Sequence, residues 1–435
     1  MPLSRRLCLA LLAAALPVQA QDVVTLTDYP CVLRGEESGA PIDQASLARL
    51  APHTVTRVGG GATFEVTYTG FTAEAQAAFQ RAVDIWSEHI VSTVPIRVNA
   101  QFGPLNAGVL GGAGPQNAFA NRSAFPLQGT LYPDALADAL NGSDLGSGQQ
   151  DINATFSSTF TSFYFGLDAN PPPGRYDFVT VVLHELGHGL GVFGSARADD
   201  GAGNPECTGT AGVGCWGFNN LPVVFDRFVE DGMGTLFLDE DVYPNPSAEL
   251  GALLISDDLF FDGVTVTTAY DNEAQPVYGP NPFQGGSSFS HWDESAFPPS
   301  SSEALMTPFI APTEAHTDPG LNTCAMFADL GWELGPGCSF LVDDEAPPAL
   351  AASGLRVTSQ NPGRGAARLR LTLGAAATVR AELTDLLGRR LAVLHDGAAP
   401  AGELTLTTPA GLAPGSYLVR VQGDAGVETA RLVRL

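Results

Sequence analysis

The sequence predicts an α+β domain built on a mixed sheet, followed by a small all-β sandwich. Three observations carry that expectation. Short alternating runs and two helical patterns are interleaved between residues 64 and 190. The stretch 343–352 (Asp-Asp-Glu-Ala-Pro-Pro-Ala-Leu-Ala-Ala) reads as a linker. Beyond it, apolar and polar residues alternate, with Gly and Pro breaking the runs at short intervals.

The elements follow in order. Residues 1–20 read as a signal peptide: Arg5 and Arg6, an apolar run from Leu7 to Leu16, and a cleavage site at Val18-Gln19-Ala20. That run is too short for a membrane anchor, and no later stretch approaches ~18 apolar residues, so no integral membrane segment is expected after its removal. Residues 21–57 show little periodicity and read as a leader or pro-segment. The domain over 58–342 opens with an alternating strand, Phe64 to Tyr68. A helix follows from Thr72 to about Val91, with Phe79, Val83, Trp86 and Ile90 on one face. Pro95 to Phe102 and Asp151 to Phe156 read as strands, and 108–148 as loop-rich. Pro171-Pro172-Pro173-Gly174 breaks the chain, after which Asp177 can cap a helix starting at Phe178. Residues 195–290 carry no clean pattern and read as a long insertion. In the sandwich, 353–435, the alternating runs are Arg368–Leu373, Val379–Leu383, Leu404–Thr407 and Tyr417–Val421.

Charge excludes one class of partner. The formal net charge is −26, and nine Arg stand against forty acids in residues 21–344. A surface this acidic repels phosphates, so no nucleic-acid partner is expected. Ca2+ binding is one use for the carboxylates, with oxygen ligands available from Asp199-Asp200-Gly201 through Asn204. The simpler use is solubility. Setting aside Cys8 in the signal, five cysteines remain. Export places them in an oxidising compartment, where Cys207 with Cys215 and Cys324 with Cys338 are the expected local disulfides, although sequence alone does not fix the connectivity. Cys31 is then left over.

The chemistry is concentrated at His184-Glu185-Leu186-Gly187-His188. The surrounding helix is apolar on nearly all sides and should be buried. His184 and His188 are i and i+4, so both imidazoles project from one face and can hold one Zn2+ ion. Glu185 is placed to act as general base on a water at that metal and then to protonate a leaving amine. Gly191 can end the helix in a left-handed turn.

His184-Glu185-x-x-His188-x-x-Gly191 resembles the opening of the metzincin motif. Most metzincins take their third ligand three residues after that Gly, where this chain has Gly194. Further on stand Ser290-His291-Trp292-Asp293, then Leu305-Met306-Thr307-Pro308, then Phe327-Ala328-Asp329-Leu330-Gly331-Trp332. This order resembles the leishmanolysin branch. The resemblance implies His291 as third zinc ligand, Met306 as the methionine packed beneath the metal, and a mixed-sheet peptidase fold. It departs from the pattern in the length of the insertion and in lacking a Tyr after the Met turn, where Phe309 stands. His316 is a candidate to steady the oxyanion in that Tyr's place. A gluzincin would instead use an acid such as Glu206 or Glu230, neither in a convincing helix, and no aspzincin motif is found. Metzincins of the leishmanolysin and matrix types use a pro-segment thiolate to hold the zinc latent, a role open to Cys31, although Tyr29-Pro30-Cys31-Val32 is no recognisable switch motif.

The tail resembles the type A sorting domain of the type IX secretion system. The matching stretches are Asn361-Pro362, Leu383-Thr384-Asp385-Leu386-Leu387-Gly388-Arg389, Ala401-Gly402 and Leu412-Ala413-Pro414-Gly415-Ser416-Tyr417. That resemblance implies passage through the periplasm by the type IX machinery, to the outer surface or the medium. The expectation is a secreted zinc metalloendopeptidase acting on protein or peptide substrates. The competing expectation is a non-catalytic zinc-binding surface or adhesion protein with a relic site.

Overall fold

This computed structural model describes residues 23–26, 31–34, 53–55, 61–199, 206–270, 273–338, 354–357, 366–373, 376–385, 389–400, 402–412, 415–423 and 426–434. The signal segment 1–20, the linker 343–352, Asp200 to Asn204 and Asn361-Pro362 lie outside them.

Six strands make the main sheet. They are β1 (Cys31–Arg34), β2 (His53–Val55), β3 (Phe64–Thr69), β4 (Ile96–Gly103), β5 (Val109–Pro115) and β6 (Ile152–Ser157), in the spatial order β1-β5-β6-β4-β3-β2. β3 and β6 both run parallel to β4, whereas β5 is antiparallel to β6 and β1 antiparallel to β5. The sheet is therefore mixed. β3 and β4 alternate buried with part-exposed residues, as expected where only one face packs on the core.

That face carries two helices. α1 (Ala73–His89) starts where the Thr72 hydroxyl accepts the Ala75 N–H. α3 (Phe178–Leu190), which follows the short helix α2 (Asp134–Asn141), starts where the Asp177 carboxylate accepts from Thr180. Every residue of α3 is buried. Trp86 of α1 ties the two helices together by donating Nε1–H to the Leu183 carbonyl at 2.9 Å. A last helix of this domain, α4 (Leu321–Leu330), packs Phe327 on the Trp86 ring, with centroids 4.9 Å apart.

The stretch 108–148, read as loop-rich, contains β5 and α2. β5 is Val-Leu-Gly-Gly-Ala-Gly-Pro, whose small residues show no apolar alternation. A Cβ at Gly111 would meet Phe156 Cδ1 at 2.9 Å and Glu185 Cγ at 3.3 Å, so close packing on the helix below explains that composition. Among its described residues, the insertion 195–290 holds two-residue strands, two six-residue helices and one 3-10 turn. It folds back onto the same core through Phe225, Phe261 and Phe289. Cys207–Cys215 and Cys324–Cys338 are disulfides. Cys31 is a buried free thiol.

The tail has its own hydrophobic core, formed by residues such as Leu369, Val379, Leu383, Leu406 and Val419. It lies between a three-stranded sheet of Gly354–Val357, Arg368–Leu373 and Gly402–Thr407 and a four-stranded sheet of Arg390–Ala399, Ala377–Asp385, Gly415–Gly423 and Gly426–Arg434. Among the described residues no helix is long and apolar enough to cross a membrane.

Candidate metal centre

α3 presents His184 and His188 on one face, one turn apart, and His291 meets them from 103 residues further along the chain. The three Nε2 atoms form a triangle with sides of 3.0, 3.1 and 3.3 Å. Each ring is held by its other nitrogen. His184 Nδ1 is 2.6 Å from the Leu305 carbonyl, His188 Nδ1 2.5 Å from that of Val192, and His291 Nδ1 2.7 Å from that of Ser287. A carbonyl only accepts, so each Nδ1 carries the proton and each Nε2 keeps a bare lone pair. Three lone pairs thus face one another without a proton between them. Burial lowers all three imidazoles, His184 to about 4, so all are neutral and able to ligate.

The triangle suits a metal ion. A tetrahedral ion at roughly 2.0–2.1 Å from each nitrogen spaces them about 3.3–3.4 Å apart. The donor set is three neutral imidazoles, which suits zinc and other borderline transition ions. His184, His188 and His291 could therefore hold a metal ion.

Backbone geometry builds each corner. Gly191 stops α3 with φ 136°, and its N–H returns to the Gly187 and His188 carbonyls. That turn swings the Val192 carbonyl back onto the His188 ring. Gly194, where most metzincins place the third ligand, has no room for a side chain. A Cβ there would lie 2.2 Å from Phe289 Cδ1. The space is filled by the segment that delivers His291, pinned by the Gly194 N–H on Ser290 Oγ at 3.1 Å. Met306 is fully buried, and a Cβ on Gly187 would meet its Sδ at 2.8 Å. The Leu305 carbonyl on the His184 ring and the Met306 carbonyl on the Trp292 N–H join this turn to both histidine segments.

Glu185 is fully buried, and burial raises its carboxyl well above the usual range, with the Leu33 and Ala113 N–H groups pulling the other way. Oε1 accepts the Leu33 N–H at 3.1 Å, while Oε2 has no partner. Leu33 belongs to β1, in the segment read as leader. β1 adds to the edge of β5, with Cys31 opposite Ala113 and Leu33 opposite Gly111, and Arg34 also bridges to Phe309. An extended piece of the N-terminal segment thus runs over Glu185. Cys31 Sγ faces Ser290 and Glu185, and burial pushes the thiol up to about 12. Among the described residues, the metal-type side chains that converge here are the three histidines, without Cys31.

Comparison with known proteins adds little to this geometry. No family model and no curated protein matches the chain. Among solved structures, a Cellulomonas fimi endo-beta-1,4-mannanase double mutant is similar at 18% identity and a TM-score of 0.14. The match covers 30% of this chain and 31% of that one. A likeness at this level carries no argument.

Other candidates fall elsewhere. His316 pairs with Glu314 at 3.0 Å, and its N–H donates to the Thr180 hydroxyl. It anchors a loop to the start of α3. Asp199 accepts N–H bonds from Glu206, Cys207, Thr208 and Gly209. Both its oxygens are committed to that turn, as expected of a loop organiser. Glu206 and Glu230 are not in the converging group. Sequence reasoning missed Leu33 and the carbonyls of Leu305, Val192 and Ser287. All of these act through the backbone, which leaves no signal in residue type.

Proposed function

We propose that this chain is a secreted zinc endopeptidase of the metzincin type, held latent by its own N-terminal segment. The observation that carries the reading is the triangle of three bare Nε2 atoms with Glu185 beside it, one residue on from the first ligand. His184, His188 and His291 would hold the zinc, and Met306 would support it from below. When bound, zinc supplies a Lewis acid that polarises a peptide carbonyl and makes a water more acidic. Glu185 takes the proton of the attacking water and returns it to the leaving amine. Geometry supports this role, because Glu185 follows the first histidine on α3 and its Oε2 has no partner among the described residues.

Latency rests on β1. A peptide substrate would add to the same edge of β5 as an extended strand, the mode open to any exposed sheet edge. β1 fills that edge, and its Leu33 N–H occupies Glu185 Oε1. Cys31, on the same strand, faces Glu185 and stands outside the histidine group, so the proposed restraint is the strand itself rather than a thiolate on the metal. The tail would act as the type IX sorting domain and direct the chain to the outer surface or the medium.

The test compares full-length chain, chain freed of residues 1–57, and Glu185→Gln on casein. The freed chain should cut, a zinc chelator should stop it, and Glu185→Gln should lower kcat by roughly 100- to 10,000-fold with zinc still bound. A zinc-loaded, freed chain that cuts neither casein nor a mixed-peptide library would instead leave a zinc-binding surface protein with a relic site.

A further inference from the structure

A second group of buried, converging oxygens lies away from the histidines. Asp134 and Asp138 stand one turn apart on α2, and Asp151 immediately precedes β6. All three are 2% exposed or less. One oxygen from each lies within 4.8 Å of the others. That is the span of two opposite ligands around an ion that takes oxygens at roughly 2.4 Å.

The oxygens divide their labour. Asp134 Oδ2 accepts from Asn117 Nδ2 at 3.0 Å, Asp138 Oδ1 from the Leu145 N–H at 2.7 Å, and Asp151 Oδ2 from the Arg97 N–H at 2.7 Å. Asp144, on the loop between α2 and β6, accepts from Arg97 Nη1 at 2.6 Å through Oδ2. The opposite oxygens, Asp134 Oδ1, Asp138 Oδ2 and Asp144 Oδ1, are buried with no partner, as is Gln150 Oε1 on the same loop. Two of them face one glycine: a Cβ on Gly146 would lie 3.5 Å from Asp134 Oδ1 and 3.7 Å from Asp144 Oδ1. Buried carboxylate oxygens without donors are costly. A set that is half tied down and half bare, aimed at one place, is built for a cation.

We propose that Asp134, Asp138 and Asp151, with Asp144 and Gln150 beside them, form a structural calcium site. The donors are all hard oxygens drawn from a helix, a loop and a strand start, which suits the irregular shell of calcium better than the strict octahedron of magnesium. Its position links it to the histidine helix. Ile152, next to Asp151, packs where a Cβ on Gly189 would meet it at 2.4 Å, and Pro133, next to Asp134, lies 3.3 Å from a Cβ built on Gly191. The ion would tie α2, the 141–151 loop and β6 into the seat of α3. This site stands whether or not the histidines are catalytic.

The experiment uses the zinc-loaded full chain. Calcium is stripped on a chelating resin, with zinc retention checked by metal analysis, and Ca2+ or Mg2+ is titrated back. One Ca2+ per chain should bind, and Tm should rise by roughly 5 °C at a hundredfold excess over Kd. Asp138→Asn and the double variant Asp134→Asn/Asp138→Asn should lose that rise. No calcium uptake and no Tm change in the wild type overturns the site, whatever the variants do. Undiminished calcium binding by a folded double variant also overturns it, and an equal rise with Mg2+ overturns the assignment to calcium.

Discussion

At the scale of single residues, the histidine centre depends on three side chains and on the three carbonyls that orient them. Removing a ligand should cost more than the roughly 10- to 100-fold in affinity that a lost orienting partner costs. His291→Ala should therefore bind zinc far more weakly than wild type, read by competition with a chromogenic chelator, with the far-UV circular dichroism of α3 unchanged. Retained affinity would remove His291 from the ligand set. Gly194→His tests the same corner from the other side. It would restore a histidine where most metzincins carry one, yet its Cβ must displace Phe289 and with it the His291 segment. The expected outcome is weaker zinc binding and a lower Tm. A gain in affinity would show that the space is more forgiving than the packing indicates.

At the scale of elements, β1 and the Asp199 loop make separate predictions. β1 acts on Glu185 through a main-chain donor, so Leu33→Pro, which deletes that donor, should release activity in the full-length chain. Cys31→Ser should release it too if sulfur on the metal is the main restraint. Activity in the first variant and latency in the second would place the restraint in the strand itself. The loop closed by Cys207–Cys215 turns on Asp199, whose carboxyl is held down to about 2, mainly by the N–H groups of Cys207, Thr208, Glu206 and Gly209 working against burial. A folded-state pKa below the unfolded one stabilises above the unfolded value, and the benefit fades as pH falls through the folded one. The Tm advantage of wild type over Asp199→Asn should thus hold at pH 5 and shrink between about pH 4 and pH 2. An advantage independent of pH would show that the charge is not what the loop uses.

At the scale of the whole molecule, two hydrophobic cores divide the chain between a mixed-sheet domain and the tail. Deleting residues 353–435 should leave zinc binding and Glu185-dependent cleavage intact in purified protein while preventing export from the cell of origin. Loss of cleavage with normal zinc content would tie the tail to the active site instead.

What the sequence determined by itself was local. The 3.6-residue period puts His184 and His188 on one face with Glu185 next to the first, the Asp177 cap and the Gly191 turn bound that helix, and the alternating runs mark β3 and β4. Asp134 and Asp138 share the same i, i+4 spacing and were equally open to reading, but α2 lay in a stretch whose glycines hid its pattern. His291 came from resemblance alone, because it lies 103 positions beyond His188 and no period spans that stretch. Tertiary structure alone decided the rest: that His291 closes the triangle, that Phe289 fills the room at Gly194, that Asp151 joins the α2 acids, and that β1 lies over Glu185. Each depends on segments brought together by burial of a common core. The contact at Glu185 is made by a backbone N–H that every residue except proline carries, so no choice of side chain records it.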